Sequence, residues 1–170
     1  ELRSERVFIA PPVADALLRN VAGVRPVITY FVREIASGGR STPYSFVSAA
    51  GAPRVPAGLG DDEVLVNDWL ADDLGLTNGS LLTLVFDAVG AGGRLEERAA
   101  AFTVAGIVPL SETSPQDRLL APAIPGLSDS ANCRDWDPGI PIDLARIRPR
   151  DEAYWNAEGP LPKLYLTTVA

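Results

Sequence analysis

The sequence predicts an α+β fold, and three observations predict it. A strand, a helix and a second strand open the chain. A connection rich in Gly, Pro and Ala over residues 51–60 separates them from the rest of the chain. Beyond it, two strand-sized apolar runs at 81–86 and 99–108 flank a glycine-rich loop. With 170 residues, 46 % hydrophobic and 22 % charged, the chain suffices for one ordinary domain, or for two small lobes sharing a core.

Residues 7–10 are a short apolar run that reads as a strand, ended by Pro11 and Pro12. Proline costs little in a first helical turn, where its missing N–H would have no partner anyway. Val13, Leu17, Leu18 and Val21 then recur at helical spacing, and Gly23 is placed to stop that helix. Residues 27–35 are β-branched and aromatic and read as a long strand. Ser37, Gly38 and Gly39 make a turn, and residues 44–49 read as a strand hairpinned to the one before.

After the connection, residues 63–66 read as a short strand. Asn67 is placed to cap a helix, its side-chain oxygen accepting a first-turn N–H, and Asp68 puts negative charge at the favourable end of the dipole. Trp69, Leu70 and Leu74 share a helix face, and Gly75 suits a left-handed terminus onto which Leu76 folds back. Asn78-Gly79 is a turn signal. Residues 81–86 form a strand, 88–94 a loop with Gly90, Gly92 and Gly93, and 99–108 a returning, central strand in which Gly106 marks a bulge or a close backbone approach. Residues 109–149 are irregular and dense in Pro, Gly and Asp, the signature of a functional or lid-like connection that Trp136 would anchor. One helical turn at 151–155 and a strand at 163–168 complete the reading.

Composition excludes several functions. The net charge is −7 and the pI about 4.6. The arginines are scattered and Lys163 is the sole lysine, so the chain has neither the cationic groove that nucleic acid needs nor a polybasic patch for anionic lipid. The absence of His removes His-dependent acid–base chemistry and most zinc and copper sites. Cys133, alone, reads as a small buried apolar side chain. A chain with no Met that starts at Glu1 is expected to be a fragment or a processed product. No apolar run reaches the ~18–20 residues that span a bilayer, so the spans of a membrane-anchored parent are expected outside residues 1–170.

The polar clusters nominate no catalytic, cofactor-binding or metal-ligating residue. Asp61-Asp62-Glu63, Asp72-Asp73 and Asp151-Glu152 place carboxylates side by side in sequence, hence pointing apart, and read as solvated surface rather than as a glycosidase pair facing across a cleft. Asp135, Asp137 and Gly139 hint at a calcium loop, but Gly139 is fifth and Arg146 twelfth where Gly and Glu should stand sixth and twelfth. An irregular site from Asp129, Asp135 and Asp137 is the remaining calcium reading. A Ser–Lys dyad would have to use Lys163. The run from Gly90 to Gly93 lacks the Lys and Ser/Thr of a phosphate loop. Trp69 reads as core, while Trp136 and Trp155 read as core or as the lining of a ligand groove.

The run EVLVNDWLADDLGLTNGSLLTL at 63–84, followed by FTVAGIVPL at 102–110, resembles the extracytoplasmic region of FtsX/MacB-type ABC transporter permeases, with Ser80 where that family often has Asp. TPYSFV at 42–47, DWDPGIPID at 135–143, DEAYW at 151–155 and Pro162-Lys163 agree with one large subfamily. The resemblance implies an α+β fold: a strand–helix–strand lobe over 1–60, an inserted β-rich lobe over 61–112 with its short helix at 67–74, and an irregular segment over 113–170 that returns to the first lobe. It further implies a domain outside the bacterial inner membrane, between transmembrane helices of a permease. Such a domain has no catalytic residues and no cofactor. Its partners would be a cytoplasmic ATPase, reached through the rest of the permease, and a periplasmic protein, lipoprotein or lipid handled outside. A secreted carboxylate-dependent hydrolase and a calcium-dependent binding module are the alternative readings.

Overall fold

The computed structural model describes residues 9–167. Helix α1 (Pro11–Asn20) begins at its two prolines as expected. The strand expected at 7–10 lies outside the described residues at positions 7 and 8, and Ile9 and Ala10 are not in a strand. Strand β1 (Val27–Ser37) turns through Gly38 and Gly39, both at positive φ, into β2 (Arg40–Ala50), and the two pair antiparallel from Ser37↔Arg40 to Val27↔Ala50. Strand β3 (Glu63–Asn67) runs directly into α2 (Asp68–Leu74). The Asn67 side chain accepts the Leu70 N–H at 2.8 Å, the cap its sequence position predicted. Gly75 ends α2 at φ 69° and ψ 39°, and Leu76 N–H returns to the Ala71 carbonyl at 2.8 Å. This is the left-handed terminus that glycine adopts without a Cβ penalty.

Strands β4 (Leu81–Val89) and β5 (Leu95–Val108) form the second hairpin. The register of β3 on β5 shifts between Val64 and Leu65, opposite Val104 and Gly106, and a Cβ on Gly106 would lie 3.0 Å from Leu65 Cδ2. The bulge and the close approach expected at Gly106 therefore coincide. Helices α3 (Pro115–Arg118) and α4 (Pro149–Glu158) bracket an irregular strap, and β6 (Leu164–Leu166) ends the described chain.

The six strands close into one barrel in the order β1-β2-β6-β3-β5-β4, with β4 pairing back onto β1. This corrects the expected α+β layout: among the described residues no strand–helix–strand lobe carries an inserted β lobe, and they are mostly β. The physical reason lies in two long-range pairings. β6 fits between β2 (parallel) and β3 (antiparallel), and β4 pairs with β1 through Thr83, Leu84 and Val85. These pairings cover edges that two separate lobes would leave open. Helix α1 buries none of its residues, so it layers on no sheet.

All six strands contribute to the barrel core, through Ile35, Val47, Val66, Leu84, Val104 and Leu164, and Leu70 and Leu74 of α2 join it. A second cluster, with Tyr44, Phe46, Leu127, Cys133, Trp136 and Trp155, lies where the strap meets β2. β2 therefore is buried without interruption from Thr42 to Ala50. β5, the strand expected to be central, lies between β3 and β4 but buries only Val104.

Candidate functional site

The densest polar constellation of the described residues forms where α2, α4 and the start of β6 converge. Asp73, carried on the buried side of α2, accepts from the Thr42 hydroxyl of β2 and from Arg148 at 2.5 Å, and pairs with Arg150 at 3.0 Å. The Arg148 guanidinium also holds Asp151 through Nε and Nη2, each at 2.7 Å. Asp151 in turn accepts the Arg148 backbone N–H at 2.9 Å and closes the first turn of α4. Burial pushes the Asp73 carboxyl up, but the hydrogen bonds from Arg148 and Thr42 outweigh it and hold the group below its usual range. Arg148 is correspondingly pushed up by its bonds to Asp151 and Asp73.

Lys163 sits beside this network and is 4 % exposed. Its ammonium lies 4.2 Å from the Trp69 ring centroid and 4.8 Å from that of Tyr154, two rings that are themselves 4.9 Å apart. Burial lowers its pKa to about 8 against the opposing charges of Asp151 and Asp73. Its backbone ties β6 to both neighbours, Lys163 N–H to the Phe46 carbonyl at 3.0 Å and the Lys163 carbonyl to Asn67 N–H at 2.9 Å. Tyr154 completes the link, accepting from Asn67 Nδ2 at 2.9 Å and donating to the Leu161 carbonyl at 3.1 Å.

A small cavity opens from Lys163 and Asp151 toward Tyr44, Cys133, Trp136 and Trp155, with about 20 Å³ for the centre of a water-sized sphere. Trp136 packs edge-on against Phe31 and Trp155, at 5.7 and 4.9 Å. Its indole N–H finds no acceptor among the described residues. Trp155 donates to the Ser130 carbonyl at 3.1 Å. Cys133 is buried and its thiol is pushed up to about 12 by desolvation, so it is held as an inert thiol. Tyr44 stands at φ 36°, a strained setting for an aromatic residue. The strap grips it: the Tyr44 hydroxyl accepts Asp143 N–H at 2.7 Å, and Arg146 covers its ring at 5.8 Å.

The residues singled out in the sequence are spread over the molecule. Asp61 and Asp62 are exposed, and Glu63 caps its own turn by accepting Gly60 N–H at 2.9 Å. Asp72 is exposed and pairs with Arg150 at 3.1 Å, and Glu152 pairs with Arg134 at 3.3 Å. Asp73 and Asp151 come from two different acidic doublets and are brought together by Arg148. Neighbours in sequence do not pair, but the fold pairs across doublets, and no local pattern announces it. Asp129, Asp135 and Asp137 are exposed, and among the described residues no three His, Cys, Asp or Glu side chains converge as a metal site. Ser45 lines the cavity with Lys163, but its hydroxyl turns to the Pro43 carbonyl at 3.4 Å. Trp69 packs against the barrel core, and Trp136 and Trp155 belong to the strap cluster.

The strap is pinned along its length. Arg54 forks onto Asp117, Arg118 bonds Glu158 at 2.8 Å, Thr29 donates to the Leu120 carbonyl and Arg146 pairs with Glu34. Chemically, the constellation fastens α4 and the strap to the barrel through a buried ionic network, and encloses one cavity beside a desolvated amine. No protein-family model matches the chain, and no curated protein sequence matches it.

Proposed function

We propose that this chain is an extracytoplasmic, non-catalytic domain of an FtsX/MacB-type ABC transporter permease, where it passes movement driven by cytoplasmic ATP hydrolysis to a substrate or partner protein outside the membrane. The observation that carries this reading is the ordered series of matching segments, at 42–47, 63–84, 102–110, 135–143, 151–155 and 162–163. These supply the pieces that contact one another at the junction of barrel and strap: Thr42 with Asp73, Asn67 with Tyr154, Trp69 with Lys163, Tyr44 with Asp143. A domain that transmits force needs such cross-ties, because a strap tied only at its ends would yield before the barrel moved. The buried carboxylates also favour a binding and coupling role over a hydrolytic one. Asp73 and Asp117 are both held below their usual range by arginine, against the upward push of burial, whereas a general acid needs its pKa raised.

The test is to read the coding sequence on either side of residues 1–170. The expected result is an apolar segment of ~20 residues on each side, with basic residues at the cytoplasmic ends. A cleavable signal peptide with no such segments overturns the proposal.

A further inference from the structure

Two donors line the cavity between strap and barrel, and neither has an acceptor among the described residues. One is the Trp136 indole N–H, on a residue 7 % exposed. The other is the Lys163 amine, which faces two aromatic rings and forms no hydrogen bond or ion pair with any described residue. The two ring faces and the charges of Asp151 and Asp73 favour an ammonium, but burial outweighs them and shifts the group toward the uncharged amine. An uncharged, desolvated lysine amine is a nucleophile. The cavity's 20 Å³ exceeds the roughly 10–15 Å³ that one water needs, and aromatic side chains form much of its wall, so a small, uncharged electrophile enters at little cost in hydration.

We propose that Lys163 is a carboxylation site: its uncharged amine captures carbon dioxide as a carbamate, and the Trp136 indole N–H donates to a carbamate oxygen. The amine lone pair forms the N–C bond. One C=O π pair moves onto oxygen as the carboxylate, and the amine proton leaves to water, so no oxidant or reductant takes part. The charged and titratable groups around the amine are Asp151 and Asp73, Arg148 and Arg150, Cys133 and Tyr154. Arg148 and Arg150 already bind both carboxylates, so the new anion meets neutralised carboxylates, and the Trp136 N–H is the donor left to hold it. The lowered pKa of about 8 supplies free amine near neutrality.

Lys163 is the chain's sole lysine, so the test needs no substitution to assign the signal. Protein labelled with nitrogen-15 at the lysine amine is dissolved in carbon-13 bicarbonate near pH 8. The expected result is a carbamate carbon resonance split by the lysine nitrogen, lost in urea, with a native mass greater by one carbon dioxide. Trp136→Phe is expected to lower the carbamate fraction about tenfold, the loss of one hydrogen bond to a charged acceptor. Absence of the split resonance at saturating bicarbonate overturns the site, and so does a split resonance that persists unchanged in urea. An undiminished carbamate in Trp136→Phe overturns the donor assignment.

Discussion

Lys163 carries its charge into a place where little can solvate it, and that has a measurable consequence. Its folded pKa is lowered to about 8 from the usual 10.5, so between those values the unfolded chain binds a proton that the folded chain does not. Stability contributed by this group is therefore least below pH 8 and rises through pH 10.5. Lys163→Met, of similar length and without the charge, is expected to exceed the wild type in stability by up to about 3 kcal/mol at pH 7, with the gap closing by pH 10.5. Urea melts across that range in carbon-dioxide-free buffer measure it, and parallel curves for the two proteins would sink the assignment. Gly75 offers a second residue-scale test. At φ 69°, with Arg40 Nη1 3.1 Å from where a Cβ would stand, Gly75→Val is expected to cost roughly 1–3 kcal/mol, read as a lower Tm. Single residues of this kind were legible in sequence where the chemistry is local: Asn67 as a cap, Gly75 as a left-handed terminus, Gly106 as a bulge. They were illegible where the partner is remote. Asn67 also donates to Tyr154, 87 residues away, and Lys163 reads as an ordinary strand-edge lysine until Trp69 and Tyr154 close around it.

Between elements, the structure relies on a few polar ties laid over apolar contacts. Arg148 joins α2 to α4, and removing it takes the guanidinium from Asp151 while Asp73 keeps Arg150 and Thr42. Arg148→Met is expected to cost about 1–3 kcal/mol, the penalty for leaving buried carboxylates short of a donor, and Arg148→Met combined with Asp73→Asn should recover part of it. A double-mutant cycle by urea denaturation measures the coupling, and a single-variant cost below about 1 kcal/mol would show that the network is solvated. Because Asp73 is held below its usual 3.8, its contribution is present above that value and is lost as pH falls through the folded pKa. Within the strap, Gly126 lies against its own return: a Cβ there would fall 1.9 Å from the Asp137 carbonyl oxygen, which no rearrangement short of moving backbone relieves. Gly126→Ala should therefore lift the strap from Tyr44 and Phe46 while the barrel stays folded. Cys133, the only cysteine, reports this directly: its thiol should become reactive to a disulfide reagent with far-UV dichroism unchanged, and unaltered reactivity would count against the strap as a separable element. Local patterning recovered α1, β1, β3, α2 and both hairpins. It shortened α4 to one turn, because PRDEAYWNAE shows only a weak apolar stripe and is fixed by Arg148, Asp151 and Tyr154 rather than by periodicity.

At the scale of the whole molecule, closure depends on three residues. β6 pairs Val47↔Leu164, Ser48↔Tyr165 and Ala49↔Leu166 on one side, and Leu65↔Tyr165 and Val66↔Leu164 on the other. Without it, β2 and β3 are open edges and the barrel core loses Leu164. This is where sequence reasoning about fold class failed. Alternation along a strand says that a face is buried, but not which distant strand buries it, and a segment as short as Leu164–Leu166 carries no signal of lying between two strands rather than at an edge. A chain ending at Gly159 is therefore expected to lose cooperative unfolding, not merely stability. Its edges would pair with other copies, and the pairs that β6 makes, such as Val47↔Leu164 and Val66↔Leu164, join residues far apart in sequence, so no local structure substitutes for them. In the full chain, the amides of Val47 and Ala49 should exchange with solvent only by global unfolding. In the truncated chain they should exchange by local opening, with a shallower urea dependence. A truncated chain that melts in one transition with an unchanged slope would mean that β1–β5 hold the fold by themselves, and that β6 follows the barrel rather than closing it.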